Sequence, residues 1–271
     1  MRPSAVAEAK LNRIACAFCL LVIAFPVLRA QGPIRIAAAA DLAPVLPPIL
    51  DEFRHTTGIE AQATYQASAT LATQIQNGAP FDIFLSADLG YPQRLIAAGL
   101  AQGLGEGASG TPITYAEGTL VLWERNDPHL PPPSLDLLRN PLLERLAIAN
   151  PERAPYGKAA IAALEKLGLY AALKPRIVTA ENISQAAEFA QSGNADAGLI
   201  SLTSAMTPQL SSSGRYFVIP RDLYPPIEQG AVLVAKSSQR VDAKKFLVFL
   251  MSAPVQQELR KYGLTPGRPV P

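Results

Sequence analysis

The stretch IRIAAAADLAPVLPPILDEFRHTTG (residues 34–58) decides the fold. Ile34 to Ala40 is an apolar run of strand length, and Asp41 stands where a helix N-cap belongs. Leu42, Val45, Leu46, Ile49, Leu50 and Phe53 then recur at helical spacing through Arg54, and Gly58 ends the element. The segment reads strand, turn, helix.

The plan repeats downstream. Ile59 to Tyr65 alternates as a strand, Ser68-Ala69-Thr70 opens a helix through Leu71 and Ile75, and Asn77-Gly78 stops it. Phe81 to Leu85 reads as a buried strand and Tyr91 to Leu100 as a helix, the alternation a parallel sheet requires. Thr119 to Trp123 is a longer strand after a glycine-rich connection, and a first crossing between two lobes is expected there. A proline-dense loop at 128–133 leads to a helix at 135–138, a strand at 146–149 and an alanine-rich helix at 157–167. Strands at 177–179 and 198–201 flank a helix at 183–191, which makes a second α/β unit. A strand at 231–235 and helices at 241–251 and 255–262 complete the chain. No linker separates the halves, as expected when a chain passes between lobes twice.

The N-terminus is of another kind. Arg2, Lys10 and Arg13 precede an apolar run from Ile14 to Phe25, the order of a secretory signal, and Pro26 closes the run before it reaches membrane-spanning length. Residues 1–30 are read as a cleaved signal peptide, with the cut after Ala30 and an exported, periplasmic product. Cys16 and Cys19 both lie in this segment, which leaves the mature chain no disulfide and no thiolate metal site. Removing it also changes the formal charge from +2 to −1, so the basic balance of the precursor implies no nucleic-acid partner.

Catalytic equipment is sparse. The only histidines are His55, at the polar end of the first helix, and His129, in the proline loop, and both read as solvated surface residues. No nucleophile elbow, zinc-protease helix, phosphate-loop or calcium-loop spacing occurs, so an enzyme is not expected. An exported hydrolase using Ser68 or Ser86 would lack a base. The chain does offer strand-to-helix turns rich in small or hydroxyl residues: Ala39-Ala40-Asp41, Ala67-Ser68-Ala69-Thr70 and Ala154-Pro155-Tyr156-Gly157. Each one taken singly is a helix start. Gathered at the carboxyl ends of parallel strands, their free N–H groups and partial positive charge make an anion site without lysine or arginine.

The set as a whole resembles the periplasmic molybdate-binding proteins of ABC importers. The resemblance is carried by IRIAAAADL (34–42), ATYQASATLATQIQNGAPFDIFLSAD (63–88), IANPERAPYGKAAIAALEKLG (148–168) and NADAGLISL (194–202). FLVFLMSAPVQQELRKYGLTP (246–266) looks like the closing helices of the wider class. The resemblance implies a two-lobed α/β type II binding protein, each lobe a mostly parallel sheet flanked by helices, with the ligand cleft between them. Lobe one is expected at 34–116 plus 224–271 and lobe two at 117–223. It also implies capture of a tetrahedral oxyanion, molybdate or tungstate, for an ABC permease, with no cofactor and with a monomer sufficient. Sulfate or another oxyanion is the alternative ligand, and a ligand-sensing module the alternative role.

Carried over residue by residue, the resemblance places the oxyanion contacts on Asp41, Ser68, Tyr156, Ile183 through its backbone N–H, and Ser201. Two of these depart from the family pattern. Ser201 stands where some members have a tyrosine and reaches less far. Asp41 puts a carboxylate where serine or asparagine is usual, and an ionised carboxylate can neither donate to a dianion nor escape its repulsion. Asp41 is therefore expected to cap its own helix through the N–H groups of residues 43–45 while its backbone N–H meets the ligand. The alternative is a protonated carboxyl that donates.

Overall fold

A computed structural model describes residues 32–104, 110–127 and 129–267 of the chain. The proposed signal peptide with its two cysteines, residues 105–109 of the glycine-rich connection, and Pro128 of the proline loop lie outside the described residues.

The opening segment folds as β1 (Ile34–Ala39), a single 3-10 turn (Ala40–Leu42) and α1 (Leu46–Thr57). Ile34, Ile36 and Ala38 point into one buried cluster and Ala37 into another, because helices cover both faces of the sheet, which is why the strand reads as an unbroken apolar run. Proline lies in the first turn of α1, where its fixed φ suits a helix start, and Gly58 ends the helix in the left-handed conformation at φ 72°. Leu46, Ile49 and Phe53 form its buried stripe.

Next come β2 (Ala61–Gln66), α2 (Ser68–Gln76), β3 (Ile83–Ser86), α3 (Gly90–Ala97), the two-residue β4 (Ala101–Gln102) and β5 (Ile113–Gly118). The chain then enters a second sheet with β6 (Leu120–Arg125), β7 (Leu146–Ala149), α4 (Pro155–Lys166), α5 (Tyr170–Leu173), β8 (Ile177–Ala180) and α6 (Ile183–Ser192). That sheet is completed by β9 (Ala197–Ser201), α7 (Leu202–Ala205), α8 (Pro208–Ser213) and β10 (Gly214–Val218). β11 (Ile227–Val234) returns to the first sheet, followed by α9 (Arg240–Leu250), α10 (Ala253–Lys261) and the short β12 (Thr265–Pro266). The proline loop leads not to a helix at 135–138 but to a 3-10 turn, Leu137–Arg139, which Leu137 and Leu138 anchor in the core.

The first sheet has the order β12-β5-β11-β3-β1-β2, with β4 also on β11, and the second β10-β6-β9-β7-β8. The expectation of mostly parallel sheets is corrected here. β1 pairs in parallel with β2 and β3, but β11, returning from the other sheet, runs antiparallel to β3, β4 and β5, and β12 runs antiparallel to β5. The second sheet is divided likewise: β7 is parallel to β8 and β9, while β6 is antiparallel to β9 and β10. Each sheet thus holds one parallel triplet, β2-β1-β3 or β8-β7-β9, whose strands all end at the same edge. The remaining strands are those near the two passages between sheets. Those passages are tied together, since the Leu120 N–H donates to Tyr224 Oη at 3.1 Å and the Ile219 N–H to the Leu120 carbonyl at 3.1 Å.

One aromatic contact fastens the end of the chain to its beginning. Phe53 of α1 is fully buried and meets Phe246 of α9 edge-on at 5.2 Å between ring centroids, with Phe249 at 5.3 Å. Phe53→Ala is expected to cost about 3–5 kcal/mol of unfolding free energy through the cavity it leaves. Urea denaturation monitored by circular dichroism checks this, and a loss under about 1 kcal/mol would mean that α9 repacks without the ring.

Candidate functional site

The carboxyl ends of the two parallel triplets face one another, and the turns that follow them enclose a small hollow. The first sheet contributes Ala39, Ala40 and Asp41 after β1, Gln66, Ala67 and Ser68 after β2, and Ala87 after β3. Opposite stand Ala154, Pro155 and Tyr156 at the start of α4, with Asn182 and Ile183 at the start of α6. Ala39, Ala40, Ala67 and Ala87 pack into the second sheet's core, so their small side chains allow the two sets of turns to approach closely. The space open to the centre of a water molecule is only about 10 Å³, roughly one water. A larger cavity of about 320 Å³, lined by Arg35, Asn77, Phe81 and Lys236 among others, lacks this convergence of helix starts.

The lining of the hollow contains no lysine, arginine or histidine. Its donors are neutral. Ser68, Tyr156 and Ile183 lie within the first two residues of α2, α4 and α6, where N–H groups have no intrahelical partner, and all three residues are buried. Among the described residues, no hydrogen bond takes up the N–H of any of the three. Ser68 Oγ accepts the Ala87 N–H at 3.0 Å, which leaves its own proton to donate. Buried N–H groups without acceptors are rare in folded proteins, and three around one small hollow describe a place built for an acceptor from outside the chain.

Other bonds hold the walls together. The Ala69 N–H donates to the Arg153 carbonyl at 3.1 Å, Ser184 Oγ to the Ala40 carbonyl at 2.9 Å, and Thr203 Oγ1 to the Asp41 carbonyl at 2.8 Å. Asn182 accepts the Gln185 N–H at 3.1 Å, the cap that fixes the start of α6.

Asp41 does not cap a helix. Its backbone lies in the 3-10 turn, α1 starts beyond it without any side-chain cap, and the Ala43 and Val45 N–H groups go to the carbonyls of Ala40 and Leu42. With proline in its first turn, α1 has less need of a capping side chain. The carboxylate is instead held from both sides: Oδ2 accepts from Gln229 Nε2 of β11 in the first sheet at 2.5 Å and from Tyr156 Oη at the start of α4 at 3.1 Å. Gln229 is held in turn by Tyr115, whose hydroxyl donates to Gln229 Oε1 at 2.7 Å. Oδ1 has no partner among the described residues. Burial pushes the Asp41 pKa from 3.8 up to about 6, against the pull of the Gln229 and Tyr156 donors, and burial beside Asp41 drives the Tyr156 hydroxyl well above its ordinary value.

Gly118, the last residue of β5, makes room for this network, since a Cβ there would lie 2.2 Å from Tyr156 Oη and 3.2 Å from Gln229 Nε2. The hydroxyl of Tyr156 is therefore spent on Asp41, which leaves its N–H as the donor without a partner among the described residues.

Ser201 is not brought into the lining. Its Oγ accepts the Ser204 N–H at 3.2 Å and lies 2.9 Å from Thr203 Oγ1 and 2.8 Å from Ser204 Oγ, so it caps α7 behind the wall that Thr203 forms against Asp41. Asp41, Ser68, Tyr156 and Ile183, distant in sequence, do meet. Gln66, Ala87 and Asn182 complete the lining, and Gln229, Ser184 and Thr203 support it. None of these six was singled out from sequence; Asn182 alone had a local signal, as a cap-forming residue immediately before a helix.

Residues 34–265 match the bacterial extracellular solute-binding protein family. The chain belongs to that family. Among its relatives, the molybdate-binding protein of Rhodobacter capsulatus is 37% identical over 243 residues, covering 90% of this chain and 92% of that one. The solved periplasmic molybdate-binding protein of Azotobacter vinelandii superposes with a TM-score of 0.79 at 28% identity, over 87% of this chain and all of its own. A sulfate-binding protein of Mycobacterium tuberculosis shares the fold, with a TM-score of 0.71 at 16% identity and 87% of each chain covered. The hollow lies between the two sheets.

The buried carboxyl makes a measurable demand on stability. Because the folded chain holds the Asp41 proton more tightly than the unfolded chain, stability falls as pH rises from about 4 to about 6 and is level beyond, by about 3 kcal/mol for this group alone. Asp41→Asn removes that penalty. The difference in unfolding free energy between variant and wild type, measured by urea titration across pH, is expected to grow in favour of the variant through that window; a difference independent of pH would show the carboxyl to be unperturbed.

Proposed function

We propose that this chain is a periplasmic binding protein that captures a tetrahedral oxyanion, molybdate, and presents it to an ABC permease. The observation that carries the reading is the ring of buried, partnerless N–H groups of Ser68, Tyr156 and Ile183 in a hollow without a cationic side chain. Helix starts offer aligned N–H dipoles and partial positive charge, which together stabilise an anion stripped of water. Donors of fixed position favour a small anion of matching shape, and neutral donors let it go again when the walls part. Relatives at 37% and 28% identity that bind molybdate support that ion over sulfate.

In this reading the two sheets are the two lobes, 34–116 plus 224–271 and 117–223, and they pivot on the tied passages at Thr119 and 219–226. Ser68 donates through its hydroxyl and N–H, Tyr156 and Ile183 through their N–H groups, and Asp41 closes the fourth side. Ser201 steadies Thr203 from behind rather than touching the anion. The chain acts by binding alone: His55 and His129 are exposed and stand apart from the hollow. Capture needs no second copy, because one chain supplies the whole lining. Tungstate shares molybdate's charge and shape and is expected to compete for the same place.

Ser68→Ala is expected to weaken molybdate binding about tenfold or more, since a hydrogen bond to a charged group contributes roughly 1.5–3 kcal/mol. Titration calorimetry on the mature chain checks it, and unchanged affinity removes Ser68 from the contact set. A thermal-shift panel of molybdate, tungstate, sulfate and phosphate tests the class of ligand, because only an anion that binds the folded state raises the melting temperature. No shift with any of the four would sink the oxyanion reading.

A further inference from the structure

We propose that a tetrahedral dianion enters this hollow together with one proton, which settles on Asp41 and converts its free Oδ1 from an acceptor into a donor to the anion. The inference rests on the oxyanion reading above and adds the chemical species that binds.

Its ground is geometric. Asp41 is fully buried and lines the hollow; Oδ2 already accepts two hydrogen bonds, from Gln229 and Tyr156, and Oδ1 accepts none. An ionised carboxylate offers an arriving anion only lone pairs and a like charge, in a space with room for about one water to screen them. Protonation at Oδ1 removes the charge and supplies an O–H in the same step. The balance is simple: the carboxylate and the dianion take one proton from solvent, no bond within the anion forms or breaks, and the complex carries one negative charge less than its separated parts.

The groups that face Asp41 leave it as the site of uptake. From α4 comes the Tyr156 hydroxyl, from β11 the Gln229 amide, and from β5, behind that amide, the Tyr115 hydroxyl. α7 presents Thr203 and α6 presents Ser184, both to backbone carbonyls of the turn, and β2 ends beside it in Gln66. Burial holds both tyrosines far above neutrality, so neither exchanges a proton in the working range. Of the formal charges nearby, Arg153 pairs with Glu181 at 2.6 Å and Arg221 with Glu117, while Asp88, next to the lining residue Ala87, accepts from Ser86 Oγ at 3.1 Å and the Tyr91 N–H at 3.0 Å. In the anion-free protein burial places the Asp41 pKa at about 6, and a dianion alongside lifts it further. Near neutral pH the free carboxyl is therefore largely ionised and the bound one protonated.

Titration calorimetry of the mature chain with sodium molybdate, at about pH 8 in two buffers of different ionisation enthalpy, measures the uptake directly. The expected result is about one proton taken up per anion bound, with affinity falling about tenfold per pH unit above the free pKa. Asp41→Asn, whose amide keeps an acceptor for Gln229 and Tyr156 and carries a permanent donor, is expected to lose both the uptake and the pH dependence. It should then bind molybdate more tightly than wild type at alkaline pH. Wild type binding molybdate with no proton uptake overturns the inference and leaves the oxyanion reading standing, as does a variant that keeps the wild-type pH slope. A wild-type chain that binds no molybdate at any pH sinks both.

Discussion

Three N–H groups of buried residues, without an acceptor among the described residues, are the constraint around which this structure is arranged. An unpartnered buried donor costs on the order of 1–3 kcal/mol, and a chain free to relax would turn such groups outward or pair them. Here they cannot turn, because each belongs to the first turn of a helix whose body is packed on a sheet. α2 lies against the first sheet, α4 and α6 against the second, and the edge where each parallel triplet ends sets all three helix starts around one point. The cost is met by the apolar packing of two sheets.

The same arrangement explains why a carboxyl is tolerated at the centre. Asp41 is reached by side chains from α4 and β11, and through β11 from β5, so the residues that hold it sit beside the two passages between sheets. Asp41, Tyr156, Gln229 and Tyr115 thereby form a chain of four hydrogen-bonded side chains that spans both sheets. Fixed cations could have attracted an anion with less apparatus, but they would have bound any anion and released it slowly. In the proposed reading, neutral dipoles and one titratable group give a grip that depends on shape and on proton supply.

Much of this was legible in the sequence where local signals act alone. β1, β7, β8 and α6 sit where apolar periodicity and turn residues put them, because helices cover both sheet faces and the pattern is clean. The antiparallel half of each sheet was not legible: β5 and β10 carry mixed patterns that do not name a partner, and nothing in the sequence of β11 states that it inserts between β3 and β5. The site divides in the same way. Ser68 and Tyr156 follow from strand-to-helix turns and Ile183 from the family resemblance alone, whereas the partners of Asp41 lie 115 and 188 residues away. Local propensity made Asp41 a cap; tertiary contacts made it a buried acid, and the proline in α1 removed the need for the cap.

Gly118 shows how narrowly that outcome is permitted. A single methyl at this position would occupy the point where the Tyr156 oxygen sits. The acid at 41 consequently depends on the phenol at 156 and the bare backbone at 118, and a lineage that exchanged either of those two while keeping the acid would take one of its two side-chain donors from a buried carboxylate. Sequences of this kind should move through such changes in concert, which makes the identity of a residue that touches neither solvent nor solute a marker for the electrostatic character of the chamber it borders.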